Sequence, residues 1–354
     1  VQMLHDADLR GFASDNYSGV HPEVLDAIAA ANGGHQTAYG ADAFTARLQE
    51  VVREHFGDAA SAFPVFNGTG ANVVALQALL PRWGAVVSAK TAHINVDEGG
   101  APERVGGIKL LTVPTPDGKL TPELIDIEAW GWGDEHRAQP LAVSITQSTE
   151  LGTLYSAEEI RAIADHVHER GMLLHMDGAR LANAAVALDA PLRAFTTDAG
   201  VDILSLGGTK NGAMGAEAVV VLSARAGEQR VGEALVYLRK LNMQLASKMR
   251  FISAQLVALY DGELWRRNAE HANAMAARLR AAVEDVPGVS FAYPTQSNGV
   301  FARLPAGVAD RVRERFFFYD WDASALEVRW MCTWDTTEDD VDALARAVRE
   351  AAAS

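Results

Sequence analysis

The chain has 354 residues, 49% hydrophobic and 22% charged, a globular balance that excludes a disordered or collagen-like polymer. With 31 basic against 46 acidic residues the formal net charge is -15, which repels nucleic acid and anionic membranes. An anionic ligand therefore needs a local cationic or helix-terminal site. The single cysteine, Cys332, excludes an intrachain disulfide framework and a multi-cysteine zinc site.

The opening residues carry neither the basic nor the apolar segment of a signal peptide, and Met3, behind Val1, is a candidate native start. No uninterrupted apolar run is long enough to span a bilayer, so a soluble cytoplasmic protein is expected, with no membrane or nucleic-acid partner. Residues 22–31 read as a short helix opening on Pro22, and residues 44–55 place apolar side chains at helical spacing. Residues 62–66 read as a strand, followed by Asn67-Gly68-Thr69-Gly70 and a helix over 71–80. Three short apolar runs between breakers, at 85–88, 110–113 and 141–146, have the pattern of buried strands. Ser156 opens a helix with a capping box, because Glu159 follows three residues on, and Gly171 suits its end. Further strands are expected at 172–176, 203–206 and 218–222. Residues 225–273 read as long and helical. Strands then follow at 289–291, 299–304 and 326–331, with helices at 308–316 and 338–352.

This alternation predicts an α/β architecture. A large domain with a mostly parallel sheet is expected over residues 15–245. A smaller α+β domain is expected over residues 246–354, joined by residues 1–14. In such sheets ligands sit beyond the carboxyl ends of strands. Asn67–Gly70, Asp177 and Lys210 each follow a predicted strand, so they are expected on one rim.

Each motif has a chemical and a structural reading. The Gly68-Thr69-Gly70 turn suits either a tight turn with an N-cap or a phosphate cradle at a helix N-terminus. Asp177, in His175-Met176-Asp177-Gly178-Ala179-Arg180, suits either a structural ion pair or the partner of a protonated ring nitrogen. Arg180 offers a bidentate fork for a carboxylate. Lys210, among Gly207-Gly208-Thr209 and Asn211-Gly212, is either a surface lysine or a partly desolvated amine nucleophile. His93 suits a stacking or proton-moving role, or a plain hydrogen-bond network. Arg329, between Val328 and Trp330, needs an anionic partner.

Taken together, several blocks in this order carry a resemblance. They are Phe12-Ala13-Ser14-Asp15-Asn16, Tyr39-Gly40-Ala41-Asp42, Gly68-Thr69-Gly70-Ala71-Asn72, Ala92-His93-Ile94, the run from His175 to Ala184, Lys210 and Arg329. Over nearly its whole length the chain resembles the threonine aldolase and aromatic β-eliminating lyase family of pyridoxal-phosphate enzymes, in its low-specificity L-threonine aldolase branch. The resemblance implies the type I, aspartate aminotransferase-like fold. It implies Lys210 as the Schiff-base lysine, Asp177 on the pyridine nitrogen and His93 on the ring. Gly68, Thr69 and Gly70 would hold the phosphate and Thr209 would also bind the cofactor, while Ser14, Arg180 and Arg329 would receive the substrate carboxylate. Tyr39 would line the site near a subunit boundary, and Lys248 or Arg250 would reach the phosphate of a neighbouring subunit. A homodimer or homotetramer is implied, with active sites at the dimer interface; the family admits a monovalent cation near the site, but no motif here demands one, so no metal ligand is assigned.

Two departures stand out. Many relatives have Ser-Lys-Gly-Leu at the lysine, where this chain has Thr209-Lys210-Asn211-Gly212, and many have a histidine where this chain has Glu150. That position is associated with the substrate's β-hydroxyl, so Glu150 joins the candidate catalytic residues. The expected reaction is cleavage of L-threonine, L-allo-threonine or a phenylserine-like amino acid to glycine and an aldehyde. The alternative is β-elimination to a keto acid and ammonia.

Overall fold

The computed structural model describes residues 4–353; the candidate start Met3 and the outermost residues of the expected small domain, 1–3 and 354, lie outside the described residues. Seven strands form the larger sheet: β1 (Ser61–Val65), β2 (Gly84–Ala89), β3 (Lys109–Val113), β4 (Gln139–Thr146), β5 (Leu173–Gly178), β6 (Ile203–Gly207) and β7 (Glu217–Val221). Their spatial order is β1-β7-β6-β5-β4-β2-β3. The sheet is mostly parallel, with β7 alone running against its two neighbours β1 and β6.

These strands are continuous apolar runs because helices cover both faces, as parallel sheets require. Alternate residues divide between two cores, since successive side chains of a strand point to opposite faces. Val86, Ala142, Leu173, Ile203 and Val219 pack with Val74 and Leu76 of the helix Gly68–Leu79. Val87, Val143, Leu174, Leu204 and Val220 pack with Leu48, Ile160 and Leu256 from the helices Ala43–Phe56, Ala157–Glu169 and Arg250–Tyr260. The capping box foreseen at Ser156 and Glu159 is formed in both directions, a feature that contributes about 1 kcal/mol to a helix start.

A second, antiparallel sheet holds β8 (Ser290–Phe291), β9 (Gly299–Arg303), β10 (Tyr319–Asp322) and β11 (Glu327–Met331), in the order β10-β11-β9-β8. Its core includes Leu279, Val300, Trp330, Val341 and Val348, with Phe12 from the opposite end of the chain. The Phe12 N–H donates to Phe317 O at 3.0 Å, and the Met331 N–H donates to Phe12 O at 2.8 Å. Those bonds tie the N-terminal segment to this sheet and carry Asp15 toward the rim of the larger one. The helix Leu264–Val283 starts in one core with Trp265 and Ala269 and ends in the other with Leu279 and Val283.

One sequence expectation needs correction, and one strand is new. Residues 225–273 are not one long helix but parts of four: Ala224–Glu228, Val231–Leu241, Arg250–Tyr260 and Leu264–Val283. Two of the three breaks fall where Arg230 and Met243 take left-handed backbone angles, φ 58° and 60°, and the third lies between Tyr260 and Leu264. Apolar spacing resumes after each break, so periodicity alone reads straight through. Strand β10 was not foreseen, because its residues are mostly exposed and it carries two aspartates on the sheet edge. Among the described residues no helix is long and apolar enough to cross a membrane.

Candidate active site

A cavity of about 360 Å³ opens where the carboxyl ends of β1, β2, β4, β5 and β6 meet the start of β7. From β1 come Asn67, Gly68 and Thr69. From the segment after β2 come His93 and Glu98, and from the loop after β4 comes Glu150. Asp177 ends β5, Thr209 and Lys210 follow β6, and Glu217 opens β7. A larger cavity, about 750 Å³, lies between residues 5–19 and the segments 313–317 and 333–340. It contains no lysine and none of these strand ends, so the smaller cavity is the chemical one.

The helix after β1 begins at Gly68, three residues earlier than its sequence suggests, so Gly68 and Thr69 form its first turn. Asn67 caps it by accepting the Gly70 N–H at 2.7 Å. The remaining free N–H groups of a first turn, with the positive end of the helix dipole, suit a phosphate. Gly70 itself is not at the cavity wall. A Cβ there would stand 2.3 Å from the Gln244 side chain, so its glycine answers to packing.

Asp177 is buried at the end of β5, and each of its oxygens accepts one hydrogen bond. Asn72 Nδ2 donates to Oδ2 at 2.9 Å, and the Ala179 N–H donates to Oδ1 at 3.0 Å. Burial raises the carboxyl pKa, but the His93 charge, the Asn72 bond and Lys210 outweigh it and hold the pKa below its ordinary value. Asp177 is therefore an anion, as a partner for a protonated ring nitrogen must be. Two residues earlier on the strand, His175 hydrogen-bonds Ser144 Oγ at 2.8 Å and Ser205 Oγ at 3.0 Å. Burial pushes it down to about 4, so it is a neutral bridge across β4, β5 and β6.

Asn72 Nδ2 also donates to Glu98 Oε1 at 2.8 Å, and His93 Nδ1 lies 2.9 Å from the same oxygen. A carboxylate only accepts, so His93 Nδ1 carries a proton and Nε2 is the nitrogen left for other work. Burial pulls the imidazole pKa down, but the Glu98 bond and the charges of Glu150 and Asp177 outweigh it, so His93 stands above its ordinary value.

A small adjoining cavity is lined by Glu150, Arg180, Arg329, Ser297 and Phe301. Glu150 lines both cavities. Arg180 is buried and holds Asp15 in a fork, Nε to Oδ2 at 2.6 Å and Nη2 to Oδ1 at 3.0 Å. Burial raises the Asp15 pKa, yet the charges of Arg180 and Lys210 drive it far below the carboxylate range. Arg329 Nη2 donates to Ala13 O at 3.2 Å, while its guanidinium lies 4.9 Å from the Trp321 ring centroid. Burial and the Arg180 charge lower its pKa. Two arginines side by side repel each other unless an anion joins them.

The residues fit a flat, phosphate-bearing aldehyde. An amine, an anion and a helix N-terminus line one cavity together. Asn72 Oδ1, Glu98 Oε2 and Arg329 Nε are buried without hydrogen-bond partners, on residues that line the two cavities.

Of the predicted residues, Lys210, Asp177, His93, Glu150, Thr209, Gly68 and Thr69 share the main cavity, with Arg180 and Arg329 in the adjoining one. Ser14 lines neither; its Oγ accepts the Asn16 N–H at 3.1 Å and caps a turn. Tyr39, Lys248 and Arg250 gather elsewhere. The Tyr39 N–H donates to Ser247 O at 3.0 Å, and Lys248 and Arg250 line a separate groove with His35–Ala38. Sequence reasoning assigned no role to Asp15, Asn72, Glu98 or Glu217. The first three lay within or beside quoted motifs. Glu217 had one signal, a charge opening the apolar run from Ala218 to Val221.

Residues 11–305 match the family model described as beta-eliminating lyase. The low specificity L-threonine aldolase of Pseudomonas aeruginosa is 44% identical over 342 residues, covering 96% of both chains. A low specificity L-threonine aldolase of Pseudomonas sp. is 42% identical over 340 residues, again 96% of each. The solved structure of the threonine aldolase of Leishmania major superposes with a TM-score of 0.89 at 29% identity, covering 96% of this chain and 99% of that one.

Proposed function

The chain belongs to the beta-eliminating lyase family, and on that premise we propose that it is a pyridoxal-phosphate aldolase of the type I fold. It cleaves L-threonine and related β-hydroxy amino acids to glycine and an aldehyde. The observation that carries this reading is the pairing of two adjoining cavities. One holds Lys210 with anionic Asp177; the other holds Arg180 and Arg329, and Glu150 stands in both.

Lys210 would hold the cofactor, Asp177 would pair with its ring nitrogen and His93 would face the ring. Gly68, Thr69 and Thr209 would take the phosphate. When bound, the cofactor supplies a carbonyl that captures the substrate amine and a sink for the charge left at Cα. Arg180 and Arg329 hold the substrate carboxylate, which orients the bond to be broken. Glu150 lies between that anchor and the Lys210 cavity, so it is the residue that accepts the β-hydroxyl proton. His93, with Nδ1 fixed by Glu98, keeps Nε2 free to move a second proton.

The working unit is a homodimer or homotetramer with its sites at the dimer boundary. In support, the Tyr39 ring centroid lies 5.3 Å from Lys240 Nζ, and around Lys240 in the chain Tyr237, Leu241 and Met243 are all more than 70% exposed. The acidic chain with its one buried thiol suits the reducing cytoplasm.

The deciding experiment is to incubate the protein with pyridoxal phosphate and L-threonine and identify the products. Glycine with acetaldehyde is expected. Appearance of 2-oxobutanoate with ammonia would assign β-elimination instead.

A further inference from the structure

The rim carries one carboxylate to which aldol cleavage gives no work. Glu217 opens β7, the strand that runs against the others, so it stands at the same rim as the carboxyl ends of β1 and β6. In register it pairs with Val65 on β1 and Gly207 on β6. It is only 6% exposed, and its Oε1 accepts the Thr209 N–H in a long bond of 3.3 Å. Glu217 and the turn of Gly68 and Thr69 line the same cavity. A buried carboxylate therefore stands beside the end of the cavity suited to a phosphate.

Charge counting makes this placement informative. Four carboxylates line the cavity, Glu98, Glu150, Asp177 and Glu217, against Lys210 and His93. Asp177 has Asn72, the Ala179 N–H and the His93 charge. Glu98 has Asn72 and His93. Glu150 lies against Arg180 and Arg329 in the adjoining cavity. Glu217 has only Thr209, through its hydroxyl and its backbone N–H. The charged and titratable groups that face it are Lys210 from the turn after β6, Asp177 from β5 and Tyr260 from the helix Arg250–Tyr260. Tyr260 is occupied, donating its hydroxyl to Gly207 O at 2.6 Å. The β1 side contributes Val65 and Asn67, neither of them charged.

A phosphate dianion in this cavity adds negative charge beside Glu217 where little water remains to screen it. Two anions so placed cannot both stay ionised cheaply. We propose that Glu217 takes up a proton when the phosphate of the cofactor binds, so that cofactor affinity is coupled to pH through this one residue. The inference rests on the pyridoxal-phosphate reading given above.

Burial already pushes Glu217 up to about 7, against the opposing pull of Thr209 and Lys210. The group is thus poised near neutrality before the phosphate arrives, and the incoming dianion moves it further in the same direction. Below that range Glu217 is protonated in both states and contributes no pH dependence. Above it, binding must first restore the proton. Affinity then falls by up to about tenfold for each pH unit until the pKa of the bound state is reached.

The test uses the full chain, stripped of cofactor and titrated with pyridoxal phosphate from about pH 6 to about pH 9, with visible absorbance as the readout. Wild type is compared with Glu217→Gln and Glu217→Ala, so that failure of one variant to fold leaves the other. The ratio of wild-type to variant dissociation constants is expected to rise about tenfold or more across the upper part of that range. The cofactor's own titrations cancel in the ratio. Calorimetry in two buffers of different ionisation enthalpy adds a second measurement: near pH 8 wild type is expected to take up more protons on binding than Glu217→Gln does. Parallel pH profiles in wild type and variants, or equal proton uptake by wild type and Glu217→Gln, overturn the role of Glu217 and leave the cofactor reading standing. If no protein binds pyridoxal phosphate at any pH, the cofactor reading itself falls, and this inference with it.

Discussion

Asp15→Asn tests the buried fork under the substrate anchor. Arg180 is 8% exposed and Asp15 1%, so solvent screens neither charge. Both contacts of the fork are short, and Asn298 Nδ2 adds a third at 3.2 Å. Removing one partner of such a pair leaves an uncompensated buried charge, at a cost of about 3–5 kcal/mol. Asparagine keeps the shape and one acceptor, so the lower end, about 3 kcal/mol, is expected. The sign of the pH dependence follows from the Asp15 pKa, which lies well below its unfolded value. Stability from a depressed carboxyl is fully present above the unfolded pKa of about 3.9 and is lost as pH falls through the folded pKa. The gap between wild type and variant should therefore be constant from neutrality down to about pH 4 and close only in stronger acid. Urea unfolding at saturating cofactor reads the gap, and the KM for L-threonine should rise as Arg180 loses its orientation. A variant within about 1 kcal/mol of wild type at neutral pH, or a gap already closing between about pH 7 and pH 6, would refute the buried-pair account.

Three further outcomes are expected. Lys210→Ala should abolish the visible absorbance that added pyridoxal phosphate produces in wild type, while the folded chain keeps its circular dichroism. Glu98→Gln should lower the His93 pKa, because the hydrogen bond that opposes burial is weakened; proton NMR of the imidazole reads this directly, and an unchanged or higher pKa would contradict the network. Glu150→Gln should lower kcat for L-threonine cleavage by about 10²–10⁴ with a smaller change in KM, as removal of a general base does; steady-state kinetics with aldehyde detection checks it, and a variant within a few-fold of wild type would remove Glu150 from the mechanism.

Much of the fold was legible because its signals are local. Buried strands are short apolar runs, and the Ser156–Glu159 capping box lies within four residues. Lys210, Asp177 and Gly68–Thr69 could be assigned to one rim because each follows such a run in a sheet whose strands run the same way. The reading weakened where local pattern and three-dimensional course part. The helical spacing of 225–273 conceals two left-handed breaks. The grouping of Tyr39 with Lys248 and Arg250 apart from the cavity has no local signature.

The sequence by itself determined the alternation of elements, the rim to which the chemical residues belong and the family resemblance, all of which depend on residue types within a few positions of one another. Tertiary structure decided the partners. Asp15 meets Arg180 across 165 positions and Asn72 meets Asp177 across 105. The reversed direction of β7 is what brings Glu217 to the rim at all. Charge state followed from those meetings. Asp177 and Glu217 are both buried carboxyls, yet one is held below its ordinary pKa and the other is pushed up to about 7. Desolvation acts on both alike; the donors and charges gathered from distant parts of the chain make the difference.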